Sequence, residues 1–188
     1  MPWPLNVHAP GIAVHVIRRG RFRAACFFGE RDRQVFLRCL LRYAVRFECA
    51  VHAYVLMGNH VHLLLTASDK DGMGRMLEAL CEAHARYVNE TGERTAALWE
   101  ERFEVSPIHT RRHFLACMRY IELNPVRAQL VTRPEAFRWS SFCANALGRE
   151  DELVTPHPFY YSLGRSMAER RCAYRRLFDD RRGGIRTG

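Results

Sequence analysis

The sequence predicts an α+β fold: an antiparallel, ferredoxin-like sheet with helices on one face, followed by a basic helical extension. Three observations carry this. Apolar residues alternate in short runs and recur at helical spacing in longer ones, in the order strand–helix–strand–strand–helix–strand. Two of the strands are separated only by Gly58-Asn59, a two-residue hairpin turn. With 188 residues and 48% hydrophobic composition, the chain is long enough to bury one core.

Taken in order, Gly11–Arg18 alternates weakly and reads as the first strand. Arg31–Phe47 carries Val35, Phe36, Cys39, Leu40 and Tyr43 at helical spacing. Glu48–Met57 and His60–Thr66 form the hairpin. Gly72–Asn89 is a second amphipathic helix, with Met73, Met76, Leu77, Leu80 and His84 on one side. Arg102–His109 reads as the fourth strand and Thr110–Leu123 as a third helix, N-capped by Thr110. Pro125 is expected to end that helix near Leu123 or Asn124, because the residue before proline is pushed out of the α region. The pattern changes at Gly148, so residues 1–148 read as one domain and 149–188 as a basic extension. That extension holds a linker at Thr155–Pro158, a helix over Gly164–Phe178 and a disordered end from Asp179.

Residues 53–66, AYVLMGNHVHLLLT, put His60 and His62 two apart on a strand, so both imidazoles leave the same face. Val61, Leu63 and Leu65 point the other way, into a core. At about 7 Å between their backbones, two neutral imidazoles can converge on one divalent cation. Alone, the pair also reads as two polar residues on a solvated face. On the third helix Tyr120 and Asn124 are four apart and share one side. That pair alone also reads as a tyrosine packed on the sheet and an asparagine C-cap.

Four segments in order resemble one family: HAYVLMGNHVHLLL (52–65), LWEERFEVSPI (98–108), RYIELNPVRAQLV (119–131) and WSSF (139–142). They resemble the REP-associated branch of the IS200-like single-tyrosine transposases, within the His-hydrophobe-His (HUH) nuclease superfamily, over about residues 10 to 145. The resemblance implies that His60 and His62 are metal ligands, Asn124 the third ligand and Tyr120 the nucleophile. It implies a single-strand DNA endonuclease and strand transferase acting on hairpin DNA through a 5′-phosphotyrosine. An amide oxygen as third ligand leans towards Mg²⁺ or Mn²⁺. The sequence departs from the family at Gly58, where proline is usual, and near Val14, where an aromatic is often found. The alternative is a protein that binds repeat hairpins with little catalysis and regulates or maintains them.

Other residues compete less well. Tyr87 is the second candidate nucleophile, but its helix neighbours suggest packing; His113 is a candidate helper of Tyr120 that also reads as a surface histidine. Glu100 and Glu101 are adjacent carboxylates of the kind usually just solvated, and Trp99, Phe103 and Trp139 could stack on bases or fill the core.

The net charge of +9 and pI near 9.6 suit a grip on phosphates. Candidate DNA-binding residues are Arg18, Arg19, Arg21, Arg23, Arg111, Arg112, Arg127, Arg165, Arg170, Arg171, Arg175 and Arg176. The expected partner is single-stranded or hairpin DNA, with no membrane and no small-molecule substrate, met by a monomer more readily than a dimer. Seven cysteines show no zinc spacing and suit a reducing compartment. The N-terminal MPWPLNVHAPG lacks the pattern of a secretory signal, and no apolar run is long enough to span a bilayer. A cytoplasmic, nucleoid-associated protein is the expectation.

Overall fold

The computed structural model describes residues 9–92 and 97–179. Its elements run β1 (Ala13–Arg19), α1 (Glu30–Arg46), β2 (Cys49–Leu56), β3 (His60–Ala67), α2 (Gly72–Glu90), β4 (Glu104–Ile108), α3 (Arg111–Arg127), α4 (Pro158–Tyr161) and α5 (Met167–Arg176). The four strands form one antiparallel sheet in the order β2-β3-β1-β4, the ferredoxin-like order the sequence predicts.

Local chemistry fixes the ends of the helices. Asp32, in the first turn of α1, accepts hydrogen bonds from the backbone N–H groups of Phe28 and Gly29. The Thr110 hydroxyl accepts from the N–H of His113 at 3.2 Å and so starts α3. Ser166 and Glu169 form a capping box on α5.

The edges of the sheet are also protected. β4 carries Pro107, which has no N–H to offer a further strand. β2 is covered by the 139–141 segment: Leu56 N–H donates to the Trp139 carbonyl at 2.9 Å, and Ser141 N–H to that of Tyr54 at 3.1 Å.

Both faces of the sheet are buried. On one, Val14, Val16, Val61, Leu63 and Leu65 pack with Phe36 and Leu40 of α1 and Met73, Met76, Leu77 and Leu80 of α2. On the other, Ala13, Ala53, Val55 and Leu64 pack with Phe114, Cys117, Met118 and Ile121 of α3, and with Tyr160 and Tyr174. The helices therefore do not share one face. α3 crosses to the side opposite α1 and α2, because the strands present apolar side chains in both directions and each face needs a cover.

A second difference from expectation concerns Pro125, which lies inside α3 rather than beyond its end. Proline removes the one bond its own N–H would have given the Ile121 carbonyl, and the helix runs on for two more residues. It stops in a Schellman arrangement: Gln129 is left-handed (φ 57°), its N–H donates to the Val126 carbonyl, and the Leu130 N–H reaches back to that of Pro125. The expected end near Leu123 or Asn124 is replaced by Arg127.

The C-terminal extension packs against α3, since Tyr174 on α5 is fully buried in the second core. Residues 180–188, expected to be disordered, lie outside the described residues. No described helix is long and apolar enough to cross a membrane.

Candidate active site

β1 and β3 aim alternate side chains at α3. The register pairs Ile17 with His62 and Arg19 with His60, so His60 and His62 emerge on the face that α3 covers. Their ring centroids are 5.0 Å apart. Tyr120, on α3, stands edge-on over them, its ring centroid 5.7 Å from that of His62. It remains 39% exposed, whereas His62 is 2% exposed. A partly exposed tyrosine thus stands against an imidazole pair of which His62 is buried and His60 half-buried.

Hydrogen bonds orient the imidazoles. His60 Nδ1 lies 2.7 Å from the amide oxygen of Asn59, so it carries the proton and leaves Nε2 as a lone pair. His62 Nδ1 lies 2.9 Å from His15 Nε2. With the proton on His62 Nδ1, its Nε2 is likewise free to ligate. Burial, followed by the neighbouring His15, His60 and Arg19, brings the His62 pKa down to about 2. Burial, reinforced by Arg19, also lowers that of His60. Both rings are neutral near pH 7, the form that binds metals.

Asn124, one turn beyond Tyr120, donates its Nδ2 to the Tyr120 carbonyl at 3.0 Å, which leaves Oδ1 as an acceptor. Among the described residues no set of three His, Cys, Asp or Glu side chains is arranged for a metal ion. A cation held by the two imidazoles would therefore draw on oxygen donors such as this amide. Two neutral imidazoles, and an amide oxygen on the helix that covers them, are donor types that suit a divalent ion.

Three residues that the sequence reading did not place here complete the site. His15 stacks on His62 with centroids 5.2 Å apart and meets Tyr120 edge-on at 6.0 Å. Burial holds its pKa near 4. The alternation Ala13-His15-Ile17-Arg19 was the signal available for it. Glu104, on β4, pairs with Arg19 at 2.9 Å, and that bond raises the arginine's pKa. Asn59, from the hairpin turn, holds His60. His113 lies near enough to His15 to add to the lowering of its pKa.

The predicted DNA-binding arginines fall in several places. Arg19 is in the site, and Arg127 lies 5.1 Å from the centre of the Tyr120 ring. Arg21 and Arg23 are exposed at the end of β1. Arg111, Arg112 and Arg176 line a groove between α3 and α5, floored by Leu115, Ala116 and Leu177. Arg165 is exposed. Arg18 points to the opposite face of the sheet, 3.9 Å from the centre of the Phe103 ring. Arg170 and Arg175 donate to backbone carbonyls, those of Gly164 and Ala146 among them, and Arg171 packs over Gly148. Trp99 and Trp139 are buried in the first core.

Comparison with known proteins follows the same lines. No curated protein matches the chain. Among solved structures it is similar to a REP-associated tyrosine transposase bound to a REP hairpin, with a TM-score of 0.66 and 16% identity over 84% of this chain and 93% of that one. A transposase candidate from Deinococcus radiodurans R1 shows 19% identity over 69% of this chain and 92% of that one, at a TM-score of 0.45, too low to establish a shared fold. The family described as IS200-like transposase matches residues 8–124, more than half of the chain and the stretch that holds His15, His60, His62, Tyr120 and Asn124, and the chain belongs to that family.

Proposed function

We propose that this protein is a metal-dependent single-strand DNA endonuclease and strand transferase of the REP-associated type, acting on hairpin DNA in the nucleoid. The observation that carries the reading is the position of Tyr120, a solvent-reachable phenol 5.7 Å from the His62 ring, on a helix that places an amide oxygen one turn away. The structural neighbour's REP hairpin supports the same class of DNA partner.

In this reading the Tyr120 oxygen attacks the scissile phosphorus. An O–P bond forms to tyrosine, the P–O3′ bond breaks, and the phenolic proton leaves to the 3′-oxygen or to water. The phosphodiester energy is kept in a 5′-phosphotyrosine, so a 3′-hydroxyl can reverse the step and join strands without a nucleotide cofactor. Arg19 and Arg127 flank the phenol and offset the charge that builds on the phosphate. His60 and His62 would hold a divalent ion, Mg²⁺ or Mn²⁺, with Asn124; when bound, that ion polarises the phosphate and stabilises the leaving oxygen. The domain would span residues 1–148, with 149–188 as an appended basic segment, and one protomer supplies imidazoles and tyrosine alike, which favours action as a monomer.

The test is the covalent adduct. Labelled hairpin DNA with a single-stranded foot, incubated with protein and Mn²⁺, should give a band on a denaturing gel that survives boiling. Tyr120→Phe keeps the ring and removes the band; His60→Ala removes it while hairpin binding persists. A band that remains in Tyr120→Phe and maps to Tyr87 overturns the assignment. If wild type binds hairpins and forms no adduct, the protein is a hairpin-binding module instead.

A further inference from the structure

The turn after β1 departs from ordinary backbone geometry. In Arg21-Phe22-Arg23, Phe22 (φ 57°, ψ 27°) and Arg23 (φ 57°) both adopt the left-handed conformation, which is unfavourable for a residue with a Cβ. The surroundings nevertheless hold the turn firmly. Gly20 N–H donates to the Asn59 carbonyl at 2.8 Å, Arg21 N–H to that of Leu98 at 2.9 Å, and Cys26 N–H to that of Gly58 at 2.9 Å. Asn59 Nδ2 closes it by donating to the Arg23 carbonyl at 3.1 Å.

The product of this arrangement is a phenylalanine 83% exposed to solvent. Such a ring adds nothing to the core. It stands between two exposed arginines, with the Arg21 guanidinium 5.0 Å from its centre. It is also tied to the active site. The Asn59 side chain that clasps Arg23 is the one bonded to His60, and Arg19, three residues before Phe22, is the sheet partner of His60. Three residues of chain keep the Phe22 Cα within about 11 Å of that of Arg19.

We infer that Phe22 is a stacking platform for an unpaired base of the DNA strand that runs into the active site, with Arg21 and Arg23 on the flanking phosphates. The inference rests on the hairpin-cleavage reading above and assigns its single-stranded subsite. A lone aromatic face between two cations matches a nucleotide, which offers a π-face and a charge together. Paired bases already stack on each other, so an isolated ring gains most from a base outside the duplex. A protein partner would call for a contiguous apolar patch, whereas the chain neighbours of Phe22 are arginines.

The experiment uses the full chain and two labelled hairpins, identical except that one carries a single-stranded foot and the other is blunt. Phe22→Asn removes the ring while tolerating the left-handed backbone; Phe22→Trp keeps an aromatic face. Phe22→Asn should weaken binding of the footed hairpin about tenfold and leave the blunt one unchanged. Phe22→Trp should restore affinity, and its added indole emission should be quenched by the footed DNA alone. An abasic site at one foot position should weaken wild type and leave Phe22→Asn unaffected. Equal affinities of wild type and Phe22→Asn for the footed hairpin, or equal losses on both hairpins, overturn the inference while hairpin recognition stands. A wild type that binds hairpins no better than plain duplex overturns the functional reading, and this inference with it.

Discussion

His15 Nε2 lies 2.9 Å from His62 Nδ1, so the imidazole under Tyr120 is held from behind by a second imidazole on the neighbouring strand. The contact fixes ring orientation, the two rings stacking at 19°. His15 also meets the ring of Tyr120, so one side chain contacts both the proposed ligand and the proposed nucleophile.

Replacing His15 by Phe keeps the packing and removes the hydrogen bond. The half-saturating Mn²⁺ concentration for cleavage should rise about 10–100-fold, as for other partners that orient a metal-bound histidine. Hairpin affinity without metal should not change. A Mn²⁺ titration identical to wild type would reduce His15 to a packing residue.

How much of this site the sequence discloses depends on chain distance. His60 and His62, or Tyr120 and Asn124, are set by the period of a single element, so their shared faces are legible from spacing. His15 is 47 residues from His62, and only the β1–β3 register brings them together. The two-sided burial of the sheet was legible in principle. β3 carries an unbroken Leu63-Leu64-Leu65 run, which suits a strand covered on both faces. Periodicity marks an apolar stripe on α3, however, and says nothing about which face of the sheet receives it. Pro125 misleads for another reason. The restriction on the residue before proline disfavours the α region without forbidding it, and the Gln129 cap that ends the helix at Arg127 uses a left-handed non-glycine residue.

Gly20 is required by close approach. A Cβ built there would stand 2.2 Å from the Ala24 carbonyl oxygen. Gly20→Ala should therefore open the Arg21–Ala24 turn and cost roughly 1–3 kcal/mol, read from the urea midpoint. Cleavage should fall further than stability explains, because the turn holds Asn59 and Asn59 orients His60. Wild-type stability in Gly20→Ala would mean that the backbone relaxes freely.

The groove between α3 and α5 supplies a salt-dependence test. Arg111, Arg112 and Arg176 are exposed along it. If all three meet phosphates, changing them together to Gln should flatten the slope of log affinity against log salt by about 2–3, with the melting temperature unchanged. An unaltered slope would assign the DNA path to Arg19, Arg21, Arg23 and Arg127. Deleting the whole extension is a poorer probe, since it removes the buried Tyr174.

The last prediction concerns Glu122, fully buried on the tyrosine helix two residues past Tyr120. One carboxylate oxygen accepts from the Ser141 hydroxyl at 2.6 Å and from Asn145 Nδ2 at 2.8 Å, and the other from the Tyr174 hydroxyl at 2.7 Å. This single group ties α3 to the segment covering β2 and to α5. Burial pushes its pKa from the usual 4.5 up to about 7, although all three hydrogen bonds favour the charged form. The folded chain therefore keeps a proton up to about pH 7 that the unfolded chain releases near 4.5. The stability this group contributes is full below about pH 4.5 and is lost as the pH rises through 7. The buried His15, His52 and His84, each held near 4, act in the opposite sense and lose stability as the pH falls below the usual 6.5. The raw pH curve of the wild type mixes the two, so the comparison must be with Glu122→Gln, which mimics the neutral acid and cannot titrate. Between pH 5 and pH 8 the stability difference should shift towards Glu122→Gln by on the order of 2–3 kcal/mol, measured as urea unfolding free energies at both pH values. Parallel pH profiles for the two proteins would mean that the carboxylate is already charged at pH 5 and that its three donors outweigh its burial.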